Sequence, residues 1–207
     1  MSMPIANTIH RLFLQADDQV PAYIVHIAGP SLSASAAIAG SSMSGHDDHV
    51  TILVCAQQPD AALLQCLGAK TVWMASSGSA QQDLQLLRQA LLDPVQRPGL
   101  YSVDLADYRM ALGRGGRIVV HTSVAANPRL AIDQFPDSLG CPLALCLHLY
   151  LPMTGGMPEI DQAVWALESI AGVMANDPPL VLAAHCEDRA DIRAVLLVVY
   201  AKDDVAS

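Results

Sequence analysis

The sequence has little positive charge. Lys70 and Lys202 are its only lysines, and 11 basic residues face 20 acids, giving a net charge of −9 and a pI near 5.0. No cluster of basic residues exists to neutralise phosphates. That excludes a nucleic-acid surface, and equally an anionic-membrane surface. Long hydrophobic runs are also missing. The longest, Leu143 to Leu151 and Ala194 to Ala201, have the length of buried strands and fall well short of the roughly 18 residues a membrane span needs. The opening stretch MSMPIANTIHRLFLQADDQ meets acids before any long apolar segment, so no signal peptide is expected. Cysteine pairing is absent as a pattern. Cys55, Cys66, Cys141, Cys146 and Cys186 make an odd number with no CxxC. Most lie in apolar runs, which reads as reduced, buried thiols in a cytoplasmic protein. There is no internal repeat, no low-complexity segment and no G-x-S-x-G turn to carry a serine nucleophile.

What remains is a globular composition. Hydrophobic residues are 52% of the 207 and charged residues only 15%. Ala22 to Ala28, His49 to Ala56 and Lys70 to Ala75 read as strands, with a helix at Pro59 to Leu67 and another possible at Ser33 to Ala39. Leu84, Leu87 and Leu91 mark a helix from Gln81 to Leu92, which Pro94 and Pro98 should end. Alternating strands and helices imply a parallel sheet in this half. The second half predicts a helix at Leu105 to Leu112, a strand at Arg117 to Val124 and a helix from Asn127 to Gln134. A strand at Pro142 to Leu151 and a long helix at Glu159 to Met174 follow. The last two strands, Pro179 to His185 and Ile192 to Ala201, are joined by the short polar CEDRAD, which predicts a hairpin.

Several residue groups have chemistry to offer. PGLYSVDLADYRMALGRGG, from Pro98 to Gly116, places Asp104 and Asp107 three apart at the start of a helix. Asp104 suits the N-cap and Asp107 the N3 position, where the helix dipole favours acids. GHDDH, from Gly45 to His49, has imidazole and carboxylate ligands for a divalent metal. The spacing equally suits a solvated loop, and with no second ligand cluster no metal is expected. His121, His148 and His185 sit in or at the end of apolar strands and read as structural. GRGGR precedes a strand instead of opening a helix, so it is no phosphate loop, and Arg114 and Arg117 read as surface residues. Trp165 reads as packing.

With these elements in order, the chain resembles FtsZ, the bacterial tubulin homologue, mainly over residues 84–201. LLRQALLDPVQRPGLYSVDLADYRMALGRGG resembles the passage from that family's central helix into its synergy loop. There Asn-Val-Asp-Phe-Ala-Asp-Val is usual; here Ser102-Val103-Asp104-Leu105-Ala106-Asp107-Tyr108 keeps both acids and the alanine, with Ser102 in place of Asn. RIVVHTSVAANPRLAIDQ, CPLALCLHLYL, MTGGMPEIDQAVWALESI and LVLAAHCEDRADIRAVLLVVYA are similar to the successive elements of its second domain. The resemblance implies an α/β fold: a reduced Rossmann-like N-terminal layer, a central helix at 81–92, and an FtsZ/tubulin-like C-terminal α+β half with a mixed sheet. It divides the chain into 1–93 and 94–207.

The family's nucleotide signature is what the sequence does not carry. The first strand runs into Gly29-Pro30-Ser31-Leu32-Ser33, where Pro30 has no N–H to donate to a phosphate. The second runs into Ala56-Gln57-Gln58-Pro59, which has no glycine. No GGGTGTG-type loop and no Walker-type lysine occurs. The expectation is therefore a degenerate member that is not an enzyme and takes no cofactor. In the family, synergy-loop acids act in a neighbour's site, so Ser102, Asp104 and Asp107 are expected to face a partner. The expected partner is FtsZ or a second copy, by docking on or capping a filament, with neither nucleic acid nor direct membrane insertion. Two alternatives stand: a self-assembling scaffold unrelated to division, and a small-molecule or nucleotide binder using the Gly/Ser segment.

Overall fold

The computed structural model describes residues 9–12, 22–27, 50–55, 58–59, 71–77, 79–97, 99–113 and 116–201. The expected helices at Ser33 to Ala39 and Pro59 to Leu67, the GHDDH group, the Gly/Ser segment, Cys66, Lys70 and Arg114 lie outside these residues or largely so. The chain separates into two compact units, Met1–Asp83 and Leu84–Ser207.

In the first unit, β1 (Ile9–Leu12), β2 (Ala22–Ile27), β3 (Val50–Cys55) and β4 (Thr71–Ala75) lie side by side in chain order. β1 pairs with β2, and β2 with β3, antiparallel; only β3 and β4 are parallel. The expected all-parallel layer is thus corrected, and β1 is a strand the sequence reading missed: IHRL is short and interrupted by charge. Ile52, Leu53, Val54, Val72, Trp73 and Met74 are buried on both faces of β3 and β4, which is why these strands read as unbroken apolar runs. Beyond β4, Asp83 is buried and holds the turn, its carboxylate accepting Ser76 Oγ at 2.7 Å and Ser77 N at 2.9 Å.

The helical path then runs further than its prolines suggested. Helix α1 (Ala80–Leu87) widens into a π turn at Arg88–Leu92 and continues as α2 (Asp93–Gln96). Pro94 sits at the start of α2 and is buried there, instead of ending the helix. A proline ring clashes with the carbonyl four residues back in an α-helix. The π turn, in which Asp93 N donates to Arg88 O, shifts that register and lets the proline in.

Within the second unit the strands are ordered β5-β8-β6-β7. They are β5 (Arg117–Ala125), β6 (Ala144–Pro152), β7 (Leu180–Glu187) and β8 (Ile192–Tyr200). β8 is antiparallel to both β5 and β6, and β6 is parallel to β7. The four expected strands share one sheet, but β7 and β8 do not form the predicted hairpin, because β6 lies between them. The link Asp188–Asp191 has only to pass one strand, about 10 Å, which four extended residues reach. Leu145, Leu147, Leu149 and Leu151 of β6 join Ile132, Phe135, Ile160, Ala163 and Leu167 in one core with α4 (Pro128–Ile132) and α5 (Met157–Glu168). Each such leucine contributes about 1.5–3 kcal/mol relative to exposure. Asn127 caps α4, its Oδ1 accepting Leu130 N at 2.9 Å, with Pro128 at the first position, where its missing N–H costs nothing.

The expected single helix from Glu159 to Met174 is two. α5 stops at Glu168 and α6 (Val173–Asn176) is a separate turn. Between them Ala171 bridges Ser138, and Gly172 at φ 94° packs against the Gly140 backbone with no room for a Cβ. That close approach, in a left-handed conformation, needs glycine and breaks the helix. Ile160, Leu167 and Val173 are buried, but Met174 is exposed. Trp165 is 74% exposed and is not a packing residue, which corrects its sequence reading. Cys141 is exposed too, whereas Cys55 and Cys146 are buried. Among the described residues no helix is long and apolar enough to cross a membrane.

Candidate functional site

The loop between α2 and α3 (Leu105–Leu112) is fixed at both ends. Gly99 lies so close to β7 that a Cβ would collide with the Ala184 carbonyl and the His185 ring. Leu100 N and Tyr101 N donate to Ala184 O at 2.8 and 3.3 Å, and Ala184 N donates back to Tyr101 O at 3.1 Å. Tyr101 therefore adds one antiparallel bridge to the strand edge. Three residues past Tyr101, Asp104 and Asp107 form a reciprocal capping box. Asp104 Oδ1 accepts Ala106 N at 2.7 Å and Asp107 N at 3.0 Å, while Asp107 Oδ2 accepts Asp104 N at 3.0 Å. The predicted N-cap and N3 roles are thus in place. Ser102 and Asp104 are exposed and Asp107 is half-buried. Each carboxylate uses one oxygen in the cap, and among the described residues neither enters an ion pair.

Under the loop lies a buried polar cluster that sequence reasoning missed. The sheet register places His185, Tyr150 and Arg193 in one row across β7, β6 and β8. His148 is two residues earlier on β6, so it points to the same face. The Arg193 guanidinium lies 3.7 Å above the Tyr150 ring, with Arg97 further out at 5.9 Å. Such stacking suits a planar, weakly hydrated cation. The His148 ring is 4.0 Å from that of Tyr150 and meets His185 edge-on at 4.6 Å. Tyr150 is fully buried, and its hydroxyl donates to Asp93 Oδ2 at 3.2 Å. Asp93, itself buried, also pairs with Arg88 at 3.3 Å and Arg97 at 3.6 Å. Arg97 reaches on to Glu187, which Arg189 and Arg193 flank at 3.4 and 3.8 Å.

The π turn explains why a histidine stands at 148. In its i→i−5 register the bond after Asp93 N→Arg88 O would run from residue 94 to Gln89 O. Pro94 has no N–H, so that carbonyl is orphaned. His148 Nδ1 donates to it at 2.9 Å, and Tyr150 Oη lies 3.4 Å away. A carbonyl only accepts, so His148 carries its proton on Nδ1. Burial first, then the charges of His185, Arg193 and Arg97, push the His148 pKa down to about 3, against the Gln89 bond that favours the charged form. Burial and the Asp93 charge push the Tyr150 phenol up. Burial, helped by Asp107, pushes the Cys146 thiol up to about 12, and burial alone takes Cys55 to about 11. Neither thiol is a nucleophile at neutral pH.

The three histidines read as structural divide. His148 and His185 belong to the cluster; His121, on β5, is half-buried near Phe135, and burial lowers its pKa. Arg117 is half-buried at the start of β5. A signal for the cluster was present in the sequence. From Leu145 to Leu151 every odd residue of β6 is leucine, while the even ones are Cys146, His148 and Tyr150. That period of two separates a core face from a polar-capable face.

Comparison with solved structures places this arrangement in a known fold. A single-site mutant of FtsZ from M. jannaschii matches with a TM-score of 0.50 at 14% identity, over 67% of this chain and 50% of that one. An empty FtsZ dimer from M. jannaschii matches with a TM-score of 0.51 at 15% identity, over 66% of this chain and 47% of that one. No protein-family model matches the sequence, and no curated protein does. The chain has an FtsZ-like mixed α/β fold across about two-thirds of its length, and it spans about half the length of the FtsZ structures it matches.

Proposed function

We propose that this chain is a non-GTPase protein of FtsZ-like fold that acts by protein–protein association. It presents Ser102, Asp104 and Asp107 to a second subunit, at an FtsZ-type filament end or on another copy of itself. The observation that carries this reading is the loop's double anchorage. The Tyr101–Ala184 bridge and the capping box hold two acids at the surface with one oxygen each left over. Acids held by backbone N–H groups, with no ion pair among the described residues, are pre-organised for a partner's donors or for a bound cation. One structure with this fold is described as an FtsZ dimer, and association suits the present chain in the same way. The non-GTPase reading rests on sequence: Pro30 and Pro59 have no N–H to offer, and Ala56 to Pro59 has no glycine to bring the backbone close to a phosphate. The buried thiols of Cys55 and Cys146, neither of them in a disulfide, favour a cytoplasmic location.

Sedimentation velocity of the protein alone, and mixed with FtsZ, tests the association. A faster species is expected in one of the two; a monomer that ignores FtsZ at about 100 μM, weaker than roughly −5.5 kcal/mol of binding, rejects it. Titration with GTP, GDP and ATP, with and without magnesium, tests the rest. No affinity tighter than about 1 mM is expected. Micromolar GTP binding or turnover defeats the non-GTPase reading and leaves association standing.

A further inference from the structure

We propose that the outer face of α5 is a docking site for a basic, amphipathic segment of a partner protein. The helix buries Ile160, Ala163 and Leu167 and turns the opposite side to solvent. Met157, Asp161 and Trp165 follow one another at four-residue spacing along that side, and Glu168 is three residues past Trp165. Side chains three and four apart are neighbours on a helix, so these four form one stripe. Trp165 is 74% exposed and Met157 48%. A single exposed apolar residue means nothing. Here a tryptophan, the side chain most costly to leave in water, shares its stripe with an adaptable methionine and two acids.

Charge identifies the occupant. From Leu130 to Asp188 the chain has no lysine or arginine and eight acids. The cations that flank this stretch, Arg129 on the adjoining α4 and Arg189, are paired with Asp133 at 3.8 Å and Glu187 at 3.4 Å. Among the described residues Asp161 and Glu168 form no ion pair. A partner that satisfies this stripe brings lysine or arginine to Asp161 and Glu168. It lays apolar side chains, or the guanidinium of an arginine, on Trp165. An anionic lipid surface is repelled by the same acids. This docking face is separate from the loop at Ser102–Asp107 and stands or falls independently of it.

Tryptophan fluorescence reads the site directly, because the other tryptophan, Trp73, is buried. The full chain is titrated with a synthetic helical peptide of leucine and lysine at 3-4 spacing. Two control peptides replace leucine by serine, or lysine by glutamate. A blue shift and protection from acrylamide quenching are expected with the Leu/Lys peptide alone, weakening as salt rises. The double change Asp161→Lys/Glu168→Lys, read by fluorescence, and Trp165→Ala, read by calorimetry because it removes the reporting tryptophan, should each weaken binding at least about tenfold, with far-UV CD and melting unchanged. The proposal is overturned by no shift, by equal binding of the serine or glutamate peptide, or by unchanged binding to the charge-reversed protein. It is also overturned if sedimentation shows a dimer of the chain that Trp165→Ala dissolves, since the face then belongs to a second copy.

Discussion

Asp93 and Asp104 open successive helical segments of the same chain and are treated in opposite ways. Asp93 is buried, and its carboxylate is met by Arg88, Arg97 and the Tyr150 hydroxyl. Asp104 is exposed, and among the described residues it is met only by backbone N–H groups of its own helix. A buried carboxylate without cations is strongly disfavoured, so the first arrangement is what stability demands. The second is tolerated at the surface and leaves the charge available. The Asp93 network supports the structure, whereas the Asp104 loop is the one we propose meets another molecule.

Removing the buried member should have the largest effect. Asp93→Ala leaves Tyr150 Oη with only the long contact to Gln89 O, removes the counter-charge of Arg88 and leaves Arg97 with Glu187 alone. The expected cost is about 2–4 kcal/mol, below the fully buried limit because Arg88 and Arg97 reach solvent. Chemical denaturation measures it. A loss under about 0.5 kcal/mol would place Asp93 in the same class as Asp104 and dissolve the contrast.

Acid should find the same network. His148 is neutral when folded, with a pKa near 3, and ordinary when unfolded, near 6.5. The unfolded state therefore binds a proton first as pH falls. The stability this neutral imidazole contributes is full above about pH 6.5 and is lost on the way down to pH 3, at up to about 1.4 kcal/mol per pH unit. His148→Asn keeps a side-chain N–H for the Gln89 carbonyl but does not titrate. Its stability should fall less steeply than the wild type's between pH 6.5 and 4. Parallel slopes in denaturant melts would show that His148 is not the group involved.

Gly99 joins the two regions, since the loop passes over His185 at this residue. Gly99→Ala must push the chain off the Ala184 carbonyl, which is backbone and does not yield. The expected cost is about 1–3 kcal/mol, as for other overpacked sites. Slowed exchange of the Tyr101 and Ala184 amides is expected in the wild type and should be lost in the variant; retention of that protection would mean that the bridge does not need the glycine.

The sequence made the surface half of this comparison easy to read and the buried half hard. Asp104 and Asp107 have a capping-box spacing before an amphipathic run, a local signal that needs no tertiary information. The second-half strands were legible because each is long, apolar and bounded by turn residues. The buried cluster depends on register: Tyr150 meets Arg193 and His185 only because β6 lies between β8 and β7. A four-residue link between β7 and β8 looks like a hairpin locally, and nothing in CEDRAD tells that β6 intervenes. Pro94 misled for a related reason. A proline reads as a stop unless the π turn and its histidine donor are known, and that donor is 54 residues away, at His148. Trp165 misled because apolar character was taken for burial, whereas helical phase puts it opposite Ile160 and Leu167.

The smallest expected change in stability is the one that decides function. Replacing both Asp104 and Asp107 by Ala removes the reciprocal cap, with an expected cost of about 0.5–2 kcal/mol. If the acids serve the cap alone, that modest cost is the whole effect, and sedimentation velocity is unchanged. If they also meet a partner, association with FtsZ or with a second copy falls at least about tenfold, as for other charged interface residues. Asp104→Asn separates the two roles in a single substitution. The asparagine oxygen still accepts the Ala106 and Asp107 amides, so the cap survives, but the negative charge is gone. Normal melting with impaired association supports a partner-facing acid. Normal melting with normal association for Asp104→Asn, together with early melting and normal association for the double variant, confines both aspartates to the cap.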